Sequence, residues 1–290
     1  MMHRLLAALF AFASLANAAP NVVFIIADDL GWADVAFHGG SAPTPHLDKL
    51  AKEGIELTQH YVAPVCSPTR TGLMTGRCWS RFNVTTPQNP RALRWDTVTL
   101  PRALKSVGYD TCLTGKWHLG SVQKASPVCP GASGFDTWVS APNFFDLDPI
   151  LSDQGKAVQF KGDSSDITAD LALKFIRQCA DKDQRFLAVV WFGSPHSPHK
   201  ALDADRDLYA DQPKNVRDFY GEITAMDRAF GRIREELKKL LPTDAVTAAL
   251  AVAEATAARR RMTADTSAAA QAAQQSARKM PGFGASSVAA

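Results

Sequence analysis

Two adjacent carboxylates, Asp28 and Asp29, stand at the end of the apolar, β-branched run Asn21 to Ala27 (NVVFIIA). An unbroken run of this kind is the pattern of a central strand covered on both faces. In open α/β sheets ligands bind beyond the carboxyl ends of the strands, so the pair is a site candidate; the rival reading is a charged turn. Further along, Cys66-Ser67-Pro68-Thr69-Arg70 leads into Thr71-Gly72-Leu73-Met74-Thr75-Gly76-Arg77. Lys116 and His118 follow a strand pattern at Tyr109 to Thr114, and Ser194-Pro195-His196-Ser197-Pro198-His199 follows the apolar run Phe186 to Phe192 (FLAVVWF). These stretches offer a thiol, fixed cations and imidazoles that change protonation near neutral pH. Taken singly, a lysine or histidine in such a place is more often a solvated loop residue or a plain strand end.

The elements that must position them alternate. After the first strand, Thr44-Pro45 reads as an N-cap with Pro at the first helical position, Leu47 and Leu50 share a face, and Gly54 sits where a C-cap belongs. Ile55 to Tyr61 has strand signals. Thr99-Leu100-Pro101 opens a short helix carrying Leu104 and Val107 and closing at Gly108. Ile167, Leu171, Phe175 and Ile176 mark another helix. Phe219, Ile223, Met226, Phe230, Ile233, Leu237 and Leu240 repeat at alternating four and three residues, which predicts one long helix from about Val216 to Leu241 with a single apolar seam. Its few heptads favour packing on a sheet over a coiled coil. Strand and helix in alternation predict an α/β layered domain with a largely parallel sheet. Trp32, Trp117 and Trp191 lie next to strands and read as core.

The chain has 290 residues, of which 21% are charged and 46% belong to the AVILMFWYC set, enough to bury a sizeable core and too little charge for disorder over most of its length. A formal charge of +3 is too small for a nucleic-acid footprint. Residues 1–19 begin with His3 and Arg4, continue through an apolar run from Leu5 to about Leu15 and end in Ala16-Asn17-Ala18, the pattern of a cleaved secretory signal. The run is too short to span a bilayer, so no membrane association is expected after cleavage. The five cysteines, Cys66, Cys78, Cys112, Cys129 and Cys179, then meet an oxidising compartment with one thiol left over. Asn83-Val84-Thr85 is a glycosylation sequon. From Thr243 onward the sequence turns to Ala with Thr, Ser, Gln and Arg, and Phe283 is its sole aromatic. Ala245 to Ala258 has high helix propensity but little bulk to bury. Three regions are expected: a signal at 1–19, a folded region at 20–241, and a low-complexity extension at 242–290 outside the core.

The stretch from Cys66 to Arg77 resembles the sulfatase signature, C-x-P-x-R followed by x-x-x-T-G, with Cys66, Pro68, Arg70, Thr75, Gly76 and Arg77 in the corresponding places and Thr69 where many members have Ser. Asp28-Asp29-Leu30-Gly31-Trp32, Thr44-Pro45-His46-Leu47-Asp48, Gly115-Lys116-Trp117-His118-Leu119-Gly120, Gly134-Phe135-Asp136 and Ser194-Pro195-His196-Ser197-Pro198 resemble sulfatase blocks in the family's order. The similarity runs over about residues 20 to 241 and looks closest to the arylsulfatase B-like group. It implies an alkaline-phosphatase-like fold, a central mainly parallel sheet flanked by helices, here with its C-terminal part missing.

A sulfate monoester is an anion that repels ordinary nucleophiles, so its hydrolysis needs an unusual nucleophile, a cation and donors for developing charge. The resemblance implies that Cys66 is oxidised by the formylglycine-generating enzyme to formylglycine. With Cys66 so consumed, the remaining four cysteines would suffice for two disulfides. Asp28 and Asp29, with the residue at 66, would hold Ca²⁺ or Mg²⁺. Arg70 would brace the formylglycine hydrate, Lys116 would hold a sulfate oxygen, His118 would lie beside the hydrate and His196 near the ester oxygen. His196 is favoured over His199 because the family's histidine follows a Pro and precedes x-Pro. The resemblance implies a small-molecule or glycan sulfate ester as substrate, and the signal pattern implies that it is met in the secretory pathway or beyond it in an extracellular, periplasmic or lysosomal space.

The chain departs from the family after Leu241. The expected Asp-Asn pair that completes the metal site is not recognisable: Asp244, Glu254 and Asp265 are not followed by Asn, and Lys279 lies in a low-complexity context. The expectation is an incomplete or mispredicted gene product, favoured over a degenerate sulfatase with a native tail and over a second chain that supplies the missing groups. A phosphonate or phosphate monoesterase of the same fold and a catalytically dead protein that binds sulfated glycans are the alternatives.

Overall fold

The computed structural model describes residues 20–86 and 93–241, together with the backbone of Thr247–Ala253. Its strands are β1 (Asn21–Ala27), β2 (Asp110–Lys116), β3 (Thr137–Ala141), β4 (Ile150–Asp153), β5 (Lys156–Gln159), β6 (Phe186–Trp191) and β7 (Thr247–Ala253). The α-helices are α1 (Pro45–Glu53), α2 (Cys66–Thr75), α3 (Leu100–Lys105), α4 (Ser164–Ala180), α5 (Asp203–Arg206) and α6 (Lys214–Leu240). The strands form one sheet in the order β5-β4-β3-β2-β6-β1-β7. From β3 to β7 all neighbours are parallel; β4 and β5 add an antiparallel edge. The expected mainly parallel α/β sheet is therefore present.

Period-two alternation assigns the side chains to two layers. Val23, Ile25, Cys112, Ala188 and Val190 point into one core, where α4 contributes Leu173, Phe175 and Ile176 and α6 contributes Ile223, Met226, Phe230, Ile233 and Leu237. Phe24, Ile26, Leu113, Leu187, Val189 and Trp191 point into the other, closed by Met74 of α2 and by Leu100 and Leu104 of α3. Both faces of β1 and β6 are covered, which is why their sequences are apolar without interruption. The seam of α6 lies on this sheet layer and not in a coiled coil. Asp227 of α6 also caps α1, accepting from the backbone N–H of His46 (3.1 Å) and Leu47 (2.8 Å).

Five local expectations fail. Trp32, read as core, is 63% exposed with its ring stacked on His38, whereas Trp117 and Trp191 are buried. Ile55 to Tyr61 forms no strand: Ile55 is 90% and Tyr61 80% exposed, and no described strand lies alongside to pair with them. Val107 lies beyond the end of α3 and is exposed. Ala245 to Ala258 was expected to be helix-prone, yet residues 247–253 run as a strand, Val22 opposite Ala248 and Ala27 opposite Ala253; pairing with β1 overrides weak helix propensity. The remainder of 242–290 and the signal at 1–19 lie outside the described residues. No disulfide links the five cysteines, all of which are described. Cys112 and Cys179 share one core layer, Cys129 sits in the other across the sheet, and Cys78 is on the surface, so the four do not pair off two by two.

Candidate active site

The register of the sheet brings the chemistry together. Ile26 of β1 lies opposite Trp191 of β6, and Trp191 lies opposite Gly115 of β2, so Asp28, Phe192 and Lys116 emerge at one carboxyl edge. Gly115 is required there. Its φ is +101°, and a Cβ would stand 1.8 Å from the Trp191 carbonyl oxygen, so no side chain fits immediately before Lys116.

Asp28 is fully buried, and its backbone N–H donates to the Ser194 carbonyl (3.0 Å), joining the first strand's end to the loop after β6. Its carboxylate receives Lys116 Nζ on Oδ2 at 2.5 Å and Arg70 Nη1 on Oδ1 at 3.5 Å. All three side chains have 0% exposure. Burial alone would push the Asp28 carboxyl up, but Arg70, Lys116 and His196 outweigh it and hold it below the usual carboxylate range. Two cationic side chains, one from β2 and one from α2, thus converge on a single carboxylate at the strand edge, and fixed cationic donors of this kind suit an oxyanion.

Arg70 reaches Asp28 from α2, whose first residue is Cys66, one turn earlier and on the same face. The guanidinium carbon lies 5.1 Å above the Trp191 ring, a cation–π contact that fixes its plane. Trp191 therefore braces the site, whereas its place at a strand end had suggested core alone. The start of α2 is tied to the loop after β2: Ser67 Oγ donates to the His118 carbonyl at 2.9 Å. Thr69 Oγ1 donates to the Ala63 carbonyl at 2.8 Å, and so holds the approach to Cys66.

Asp29 and His118 both have positive φ, 64° and 52°, an uncommon state for residues with side chains and one that concentrates at functional sites. Burial, then Lys116 and Arg70, drives the His118 pKa down to about 3, so its imidazole is neutral at physiological pH. His196 Nε2 lies 3.5 Å from Asp29 Oδ2. The His196 ring stacks on Phe144, centroids 4.5 Å apart and planes at 7°. His199 faces away from this group, with Nδ1 3.5 Å from Glu222 Oε2. Phe144 went unnoticed in the sequence because nothing in its spacing relates it to position 196.

Asp28 and Asp29 offer hard oxygen donors of the kind that suit Ca²⁺ or Mg²⁺. Among the described residues no group of three His, Cys, Asp or Glu side chains converges as a metal site, and Asp28 already faces two cations. The donors fit a hard divalent ion in type and supply part of the six to eight ligands, roughly, that Ca²⁺ takes.

The geometry at the carboxyl edge and the order of the motifs that build it place the chain in a known class. The sulfatase family model matches residues 20–245, and the chain belongs to that family. It is 30% identical to the ulvan-active sulfatase of Formosa agariphila over 246 residues, 76% of this chain and 47% of that protein. It is 44% identical to arylsulfatase J of Mus musculus over 123 residues, 41% of this chain and 20% of that protein. Among solved structures, Ps i-CgsB in complex with k-i-k-neocarrahexaose superposes with a TM-score of 0.74 at 28% identity, covering 81% of this chain and 58% of the other. An alkaline phosphatase superfamily protein of Vibrio parahaemolyticus shares the fold, with a TM-score of 0.56, 22% identity and coverage of 81% and 54%. The chain spans about half, or less, of the length of the relatives it matches.

Proposed function

We propose that residues 20–241, extended at the sheet edge by β7, are the N-terminal catalytic region of a sulfuric ester hydrolase. The observation that carries this reading is the buried Asp28 bracketed by Arg70 and Lys116, with Cys66 one helical turn from Arg70. Family membership supports a formylglycine made from Cys66 by the formylglycine-generating enzyme, and a Ca²⁺ or Mg²⁺ held by Asp28, Asp29 and residue 66. When present, the formylglycine supplies a hydroxyl nucleophile and the divalent ion neutralises charge on sulfate oxygens.

The chain's own side chains do the rest. Arg70, with its fixed donors one turn from residue 66, braces the nucleophile, and Lys116 holds a sulfate oxygen as a point charge. His118, neutral, accepts or donates a hydrogen bond beside residue 66 without adding charge. His196, steadied by Asp29 and Phe144, donates a proton to the leaving alcohol oxygen. A sulfated glycan is the favoured substrate class, on the strength of relatives named for ulvan and solved with a neocarrahexaose. The signal-like sequence at 1–19 supports passage through the secretory pathway; no described helix is long and apolar enough to cross a membrane. A second reading, a glycan-binding protein without turnover, draws on the lack of a converging set of three metal ligands among the described residues.

Peptide mass spectrometry across Cys66, on protein made with the maturation enzyme present, tests the first reading together with an aryl sulfate turnover assay. Aldehyde at position 66 and release of sulfate are expected. An unmodified thiol in mature protein sinks the catalytic reading; aldehyde with preferred turnover of a phosphonate would move it to the phosphonate monoesterases.

A further inference from the structure

The loop that carries His196 is fastened at both ends, and its far end is fastened to a buried carboxylate that the chemistry above does not use. Glu222 of α6 is 2% exposed, and its Oε1 accepts from the Lys200 backbone N–H at 2.6 Å. Its Oε2 faces His199 Nδ1 at 3.5 Å, while the His199 ring lies against Phe219 with centroids 4.9 Å apart. Beside it the Ala201 N–H reaches Asp218 Oδ1 at 3.5 Å, and Gly221 leaves room for Ala201, since a Cβ there would stand 2.5 Å from the Ala201 Cβ. The near end is held by Ser194, whose carbonyl accepts from Asp28.

The anchor extends to the stacking partner. Once Glu222 fixes the Lys200 backbone, the Lys200 side chain reaches out to Asp146, with Nζ 3.0 Å from Oδ2. Asp146 lies two residues from Phe144, whose ring stacks on His196. Taking a carboxyl out of water is costly; burial pushes the Glu222 pKa up, while His199 and the Lys200 N–H act against it and Asp163 adds to it. An apolar side chain would fill the same space without that cost but would leave the Lys200 N–H without its acceptor.

We propose that Glu222 is a positioning residue: by anchoring Lys200 it sets the His196 imidazole against Phe144 and Asp29. The inference deepens the sulfatase reading and rests on it for the role of His196, but its test has an arm that needs no turnover. In the full chain, Glu222→Ala, Glu222→Gln and Asp146→Ala are compared by histidine-selective NMR, which reports the ring-current shift that Phe144 imposes on His196, and by aryl sulfate kinetics. Glu222→Ala is expected to erase the ring-current shift and to lower kcat about 10²-fold with KM changed only a few-fold, the scale of a misplaced catalytic group. Glu222→Gln keeps an oxygen for the Lys200 N–H and is expected to retain the shift and most of kcat. Asp146→Ala, at a partly exposed site, is expected to lose the shift without disturbing the core, so the question stays answerable if Glu222→Ala does not fold. An unchanged His196 resonance in a folded Glu222→Ala or Asp146→Ala protein overturns the proposal, as does a loss in Glu222→Gln equal to that in Glu222→Ala. A wild-type chain without turnover would instead tell against the sulfatase reading, leaving the resonance to decide the role of Glu222.

Discussion

Lys116 Nζ and Asp28 Oδ2 lie 2.5 Å apart with neither side chain reached by solvent, and Arg70 approaches the other oxygen of the same carboxylate. One buried anion thus organises two cations drawn from a strand and a helix far apart in sequence. Removing its charge takes from both cations the carboxylate they share. Asp28→Asn is expected to destabilise the fold by about 3 to 5 kcal/mol, the scale for breaking a buried ion pair. Denaturant unfolding of the two proteins measures it; a loss below about 1 kcal/mol would contradict the triad.

The acid side of the stability profile has two contributors of the same sign. The folded-state pKa of Asp28 is depressed, so its stabilisation is present above the unfolded carboxylate value and is lost as pH falls through the folded one. His118 is depressed from 6.5 to about 3, so between those values the unfolded chain binds a proton that the folded chain refuses, and stability falls as pH falls through that window. His118→Gln is expected to flatten the slope of unfolding free energy between about pH 6.5 and pH 3. An unchanged slope would show that His118 titrates normally.

Gly115→Ala places a methyl group against the Trp191 carbonyl at a φ of +101°. Left-handed strain and overpacking together predict a loss of about 2 to 5 kcal/mol, read by urea denaturation. A variant as stable as the parent would show that β2 and β6 can separate at this point.

Cys66→Ala removes the proposed nucleophile from the buried start of α2 and fills most of the same space. Aryl sulfate turnover should vanish while the thermal midpoint moves by only a few degrees, the scale of about 1 kcal/mol in a chain of this size. Surviving turnover would remove residue 66 from the chemistry.

Chelation provides an independent check. Dialysis against a divalent chelator should abolish turnover, and added Ca²⁺ or Mg²⁺ should restore it, because without the ion the Asp28 and Asp29 carboxylates face the sulfate directly and repel it. Turnover indifferent to chelation would exclude Asp28 and Asp29 as ligands.

Much of this was legible beforehand where one physical signal acts alone. The apolar runs of β1 and β6 announce strands buried on both faces, and the seam of α6 announces its buried stripe. Asp28, Arg70, Lys116 and His196 were legible because their motifs keep a fixed order. What stayed hidden depends on partners distant in sequence. Trp191 under Arg70 and Phe144 against His196 are contacts between segments whose spacing has no period. Ile55 to Tyr61 carries the composition of a strand, but strand formation needs a neighbour, which composition does not contain.

The long helix α6 presents its apolar stripe to the sheet, its Asp227 to the start of α1, and its Glu222 and Asp218 to the histidine loop. One rigid rod therefore serves as both roof beam and door hinge. Heat or denaturant that lifts it even partway would unseat the imidazole while most strands remain zipped, so inactivation would run ahead of global melting.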